Sequence, residues 1–92
     1  KFSEAISFQV NCQNQEEVDH FWGNLSEGGP VEAQQCGWLK DKFGVSWQIV
    51  PVAFMHMMLD PDTAKSQRAM QAMFTMKKLD IAELERAFAG QS

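Results

Sequence analysis

Cys36-Gly-Trp-Leu-Lys-Asp-Lys-Phe-Gly-Val-Ser-Trp-Gln-Ile-Val-Pro51 reads as strand, tight turn, strand. Lys40 to Gly44 is polar and closes on a glycine. Trp38-Leu39 before it and Val45 to Val50 after it are rich in aromatic and β-branched residues. The second strand alternates with period two, so Val45, Trp47 and Ile49 share one face and Ser46, Gln48 and Val50 the other. Upstream, Ala5 to Val10 repeats the design: Ile6, Phe8 and Val10 on one face, Ala5, Ser7 and Gln9 on the opposite one. Two strands that each turn an apolar face one way need an apolar partner on that side.

The partner lies between them. Val18, Phe21, Trp22 and Leu25 recur at i, i+3, i+4 and i+7, the stripe of an amphipathic helix. Asn14 is placed to cap it, with Glu17 three residues on as the capping-box acid. Gly28-Gly29 ends it and Pro30 prevents continuation. Val31 to Gln35 reads as a weaker, short strand, with an irregularity near Gly37. From Pro51 the period changes. Val52 to Leu59 suits a short helix. Asp60-Pro61 is a stop and restart, with Asp60 as cap and Pro61 in first helical position. Ala64, Met70, Met73, Phe74 and Lys77 extend a helix to about Lys78. Asp80 caps a last helix striped by Ile81, Leu84 and Phe88 and ended by Gly90. The expected architecture is α+β: a βαβββ module over 1–51, then a helical extension over 52–92 that packs on the module or on a partner.

Composition narrows the function. Ninety-two residues make at most one small domain, and 45% apolar content argues against disorder. A core this small makes pairing with a second copy plausible. The net charge of −4, with Lys77-Lys78 as the densest basic spot, disfavours nucleic acid. No apolar run approaches the roughly 20 residues of a membrane span, and no signal peptide is visible. Cys12 and Cys36 read as free thiols of a reducing cytoplasm, with one bridge between them as the alternative. A chain that opens at Lys1 and enters a strand almost at once reads as part of something longer.

Chemistry-bearing residues are sparse. His20 and His56 stand at no metal-ligand spacing with each other or with the cysteines, and each reads as a packed or surface imidazole. Nothing adjacent to Cys36 in sequence would activate it as a nucleophile, so it reads as a structural thiol. Ser7 and Ser46 have no sequence-visible base, and no phosphate-binding glycine loop exists. The methionines Met55, Met57, Met58, Met70, Met73 and Met76 suit packing between elements or subunits, or an adaptable ligand surface. The better signal is the second face of the strands. Ser7, Gln9 and Gln48, with Trp38 beside them, make a face that is polar yet uncharged. A face open only to solvent would carry charge, so this one suits a ligand cup or a polar subunit interface.

The order strand, helix, three strands resembles the module of the vicinal oxygen chelate (glyoxalase and bleomycin-resistance) superfamily. More closely, Ala5-Ile-Ser-Phe-Gln-Val-Asn-Cys12, Gln15-Glu-Glu-Val-Asp19, Cys36-Gly-Trp-Leu-Lys-Asp41 and Gly44-Val-Ser-Trp-Gln-Ile-Val-Pro51 resemble the C-terminal half of PhnB-like, or demethylubiquinone methyltransferase-like, proteins. Asp60-Pro61, Gln67 to Met73, Met76-Lys-Lys78 and Ile81-Ala82 extend that resemblance into the tail. It implies a cup built by two modules, the second supplied by a homodimer partner or by a missing N-terminal module. Metal-dependent members carry ligands near the start of the first strand and on the last, where this chain has Ala5 and Gln48. Alanine has no donor atom and glutamine is a weaker ligand than a carboxylate. The resemblance therefore implies no metal in this module and leaves a metal-dependent isomerase or dioxygenase as the remotest reading. With no glycine-rich loop after a strand to hold an adenosyl group, no cofactor is expected, and "methyltransferase" stands as a family name. The expected function is small-molecule binding or processing in the cup, with a structural or dimerisation module as the alternative.

Overall fold

A computed structural model describes residues 7–90. The order is β1 (Ser7–Cys12), α1 (Gln15–Ser26), a single 3-10 turn (Val31–Ala33), β2 (Trp38–Lys40), β3 (Ser46–Pro51), α2 (Val52–Met58), α3 (Thr63–Met73) and α4 (Ile81–Ala89). This is a small α+β fold, one three-stranded mixed sheet followed by helices. The sheet order is β1-β3-β2. β3 is central, parallel to β1 and antiparallel to β2. The parallel pair requires a crossover, and α1 provides it.

The hairpin turns where expected, and one carboxylate organises it. Asp41 Oδ1 accepts from the backbone N–H groups of Phe43 and Val45, each at 2.9 Å. Its Oδ2 accepts from the Trp47 indole at 3.0 Å. The indole bond, with the backbone donors, holds the Asp41 carboxyl below its ordinary pKa. On the other side of the hairpin the chain passes very close: a Cβ at Gly29 would stand 2.1 Å from the Lys40 carbonyl oxygen.

α1 lies on one face of the sheet. Val18 and Trp22 pack with Cys12, Leu39 and Ile49 into a buried cluster, edged by Val10, Phe21, Leu25 and Trp47. Full burial of each Leu or Ile side chain contributes about 1.5–3 kcal/mol. The stripe and the strand faces thus meet as their periodicities require. Asn14 caps α1 by accepting from Glu17 N–H at 2.9 Å. The reciprocal bond differs from a standard capping box, since the Glu17 carboxylate accepts from Gln13 N–H rather than that of Asn14.

Three expectations are corrected. The strand over Val31 to Gln35 is a 3-10 turn, with a lone antiparallel bridge between Gln35 and Trp38. Pro30 lacks an N–H and Glu32, Ala33 and Gln34 are weak strand formers, so the segment gains little from a ladder. Cys36 and Gly37 both take positive φ, 53° and 86°, and close a two-residue turn between Gln35 and Trp38. α3 is capped by Asp62, whose carboxylate accepts from Ala64 and Lys65 N–H groups, while Asp60 accepts from Asp62 N–H. α3 also stops at Met73 rather than near Lys78, and its buried residue is Ala69, leaving Met70 and Phe74 exposed. The carbonyls of Met76 and Lys77 instead accept from Cys36 and Gly37 N–H, both at 2.8 Å. Tertiary bonding thus takes the chain that helical periodicity alone would have continued. Ala5, and the first two residues of the expected opening strand, lie outside the described residues.

The tail helices form a second cluster: Phe54, Met57, Ala69, Leu79 and Leu84, with Met58, Met73, Met76 and Phe88 around it. Arg68 caps the C-terminus of α4, donating from Nε to Ala87 O at 3.0 Å and from Nη2 to Phe88 O at 2.9 Å. Gln15 ties this tail to α1. Its amide donates to Leu79 O at 3.1 Å and its carbonyl accepts from Ile81 N–H at 2.7 Å, one of the helix-start donors of α4. Lys78 and Asp19 pair beside it at 2.9 Å.

Candidate functional site

The face of the sheet opposite α1 carries the candidate residues. Register places Gln9 of β1 beside Gln48 of β3, and Gln48 beside Trp38 of β2. These three side chains form one row across all three strands. Period-two alternation brings them there: each lies next to a core-facing residue, Val10, Ile49 and Leu39 respectively. Ser7 sits one pleat away on β1, and its hydroxyl accepts from the Gln48 amide at 3.3 Å. Gln9 donates to Asn11 Oδ1 at 2.8 Å, and among the described residues nothing donates to its own carbonyl oxygen. Ser46 shares this face but is 7% exposed. The side chain opposite it in register is Ser7, small enough to leave Gln48 room.

The row floors an open groove of about 590 Å³. Gln9, Gln48 and Trp38 line its sheet side together with Gln35, and Ser7 touches it through Gln48. The opposite wall comes from the tail: Phe54, Met55, Met58, Met73 and Phe74. Helices α2 and α3 therefore complete a wall that strands alone leave open. The volume falls in the range of small-molecule sites, on the order of 300–1,000 Å³. Gln35 and the tail wall were not legible as neighbours of the row. Gln35 arrives through the positive-φ turn at Cys36-Gly37, and nothing in local pattern announces that α2 folds back over β3.

Cys36 lines the same groove, half-buried and free, while Cys12 is free and buried beneath α1. Burial, with the Glu17 carboxylate nearby, pushes the Cys12 thiol above its ordinary pKa, which keeps it protonated and inert. His20 is exposed on α1, its ring edge-on to Phe21 at 5.3 Å and near the Asn24 amide. His56 is exposed on α2. Among the described residues no three His, Cys, Asp or Glu side chains converge as a metal site would require. Gln48 hydrogen-bonds Ser7 rather than joining any such group. Among the described residues no helix is long and apolar enough to cross a membrane.

The arrangement offers amide donors and acceptors in a row, an indole face, and a flexible thioether wall. No nucleophile with an adjacent base stands among its lining residues.

A family model described as 3-demethylubiquinone-9 3-methyltransferase matches residues 1–50. That is more than half of the 92-residue chain. The family is related to the glyoxalase and vicinal oxygen chelate domains. The match spans both strands that carry Gln9 and Gln48 and stops at Val50, so helices α2 to α4 lie beyond it. No curated protein matches the chain.

Proposed function

The chain belongs to the 3-demethylubiquinone-9 3-methyltransferase family, and on that premise we propose that it is a small-molecule-binding module whose cup is floored by Ser7, Gln9, Trp38 and Gln48. The observation that carries this reading is the cross-strand row Gln9–Gln48–Trp38 beneath an open groove. A few neutral hydrogen-bonding groups set among apolar side chains in a groove are the means by which small-molecule sites orient a ligand. A second module, from another copy of the chain or from a longer native protein, closes the cup. Support for that part lies in β1, which pairs only with β3 among the described residues and so leaves an edge open to a further strand. Phe8 stands on that edge strand 55% exposed, its ring 5.2 Å from the Trp47 ring.

Two-dimensional NMR of the protein against a small-molecule fragment library tests the binding role. Shifts concentrated at the Gln9 and Gln48 side-chain amides and the Trp38 indole N–H are the expected result. A library that moves none of them refutes it. Light scattering across concentration tests the second module: a dimer in which β1 amides gain protection from exchange is expected.

The second reading, a structural or dimerisation module without a ligand, draws on the exposed apolar side chains of the tail. Leu59 and Phe74 are 80% and 62% exposed at the groove margin. Burial of the whole groove in the dimer, with no fragment bound, would favour it over the first.

A further inference from the structure

We infer that the groove holds a binding site for a soft monovalent cation, Cu(I), made by the Cys36 thiolate and the thioethers of Met55, Met58 and Met73. This role is independent of the amide row on which the reading above rests. Four sulfur-bearing side chains line the one groove, a free thiol and three thioethers. All four are half-buried. Met57 packs into the tail core and Met70 is exposed, and neither lines the groove. The methionines are therefore sorted by place and not spread evenly over the tail. The other thiol, Cys12, lies fully buried beneath α1 and outside the groove.

The backbone brings these four residues together from three separate elements. Met55 and Met58 stand three residues apart on α2, so they share one face of that helix, with Cβ atoms about 5–6 Å apart. Met73 is the last residue of α3. Two backbone bonds connect it to Cys36: Cys36 N–H donates to Met76 O at 2.8 Å, and Met76 N–H donates to Met73 O at 2.9 Å. The Ser66 hydroxyl donates to Met57 O at 2.8 Å and holds α3 against the end of α2 that carries Met58. Gly37 N–H adds a second bond from the turn into the tail, to Lys77 O at 2.8 Å. A fixed turn thus presents the thiol, and two tied helices present the thioethers. Each unbranched methionine side chain has three rotatable bonds with which to bring its sulfur onto a common point.

The donor set chooses the cation. Thiolate and thioether sulfur are soft and select Cu(I), whereas Ca2+ and Mg2+ take oxygen ligands and Zn2+ takes thiolate, imidazole or carboxylate. Only one of the four donors becomes anionic. Its charge matches a monovalent cation, so the complex is neutral where it meets Phe54 and Phe74. Binding is a ligand exchange without electron transfer. Cu(I) leaves its solution ligands, the Cys36 S–H bond breaks, Sγ bonds the metal, and the proton passes to water.

The test titrates the reduced wild-type chain, free of oxygen, with Cu(I) and separately with Ag(I), a redox-inert cation of the same charge and softness. Binding is followed by NMR of the methionine methyl groups and by competition with a Cu(I) chelator. Either cation is expected to move the Met55, Met58 and Met73 methyls and to leave Met57 and Met70 in place, and Zn(II) to move none of them. Cys36→Ser, and Met55→Leu combined with Met58→Leu, should each weaken Cu(I) by at least about tenfold, a difference of about 1.4 kcal/mol. Leucine keeps the volume of methionine, so the paired variant retains the wall. Three unmoved methyls in wild type overturn the inference whether or not a variant folds. Unchanged Cu(I) affinity in either folded variant overturns it too, as does Zn(II) moving the same methyls. None of these results touches the small-molecule reading, whose signals are those of Gln9, Gln48 and Trp38.

Discussion

The two faces of β3 are built by different rules. Ile49, fully buried, and Trp47 look toward α1, where Val18, Trp22 and Leu25 meet them at the spacing of the helical period. Gln48 looks the other way, into a groove shared with helices that follow it in the chain. The first face is closed within the module. The second is only walled once α2 and α3 fold back. A strand can therefore serve as core and site together, because alternation puts successive residues on opposite sides at no cost to either. What separates the faces is the supply of covering residues: twelve residues of α1 cover one, and the other is left open between sheet and tail.

The strongest test of this contrast is to empty each cluster. Ile49→Ala removes a fully buried side chain from the α1 face and should lower stability by about 2–5 kcal/mol in chemical denaturation. Leu84→Ala does the same in the tail cluster, with an expected loss of about 2–4 kcal/mol. If both variants shift one common transition, monitored by Trp fluorescence and by far-UV circular dichroism, module and tail unfold as one unit. If Leu84→Ala melts the helices while the Trp signal holds, the groove wall is an independent element and the contrast between faces sharpens.

Smaller effects address the joints between the regions. Asp41→Asn should cost about 1–2 kcal/mol at neutral pH, because a charged acceptor of two turn N–H groups and the Trp47 indole is lost. The pH dependence follows from the sign of its shift. The folded-state pKa of Asp41 is depressed, so its contribution is fully present above the unfolded value of about 3.9 and fades as pH falls below it. Wild type should therefore lose stability below about pH 4 faster than Asp41→Asn. Acid dependence that survives in the variant belongs in part to Asp19, whose pKa is lowered first by the Gln15 amide and then by Lys78. Gln15→Ala should cost about 1 kcal/mol and speed hydrogen exchange at Ile81 N–H, whose partner it removes. Lys78→Ala, which breaks a half-exposed pair, should change stability by less than about 1 kcal/mol.

Reading the chain as a string shows the regular parts well. Val18, Phe21, Trp22 and Leu25 had one face to offer, and it meets the strands. Gln9 and Gln48 had to share the opposite face, and they stand side by side. Where the string misled, a long-range bond or a special backbone angle was responsible. Val31 to Gln35 looked extended, yet Cys36 and Gly37 turn with positive φ and give their N–H groups to Met76 and Lys77. The same two bonds end the helical run that Lys77 seemed to prolong. Asp60 and Asp62 are both good caps, and the string alone did not choose between them.

By itself, then, the sequence determined the α+β class, the helix over the sheet, the hairpin and the uncharged second face. Each follows from local periodicity, which side-chain alternation and the 3.6-residue turn translate directly into burial. Only the tertiary structure decided that Gln35 and the methionines of α2 and α3 join Gln9, Trp38 and Gln48 around one groove. That outcome depends on where the tail is tied, through Gln15 to Ile81 and through Cys36 and Gly37 to residues about 40 positions away. Contacts between residues so far apart leave no periodic trace, because they answer to the packing of whole elements and not to their neighbours along the chain.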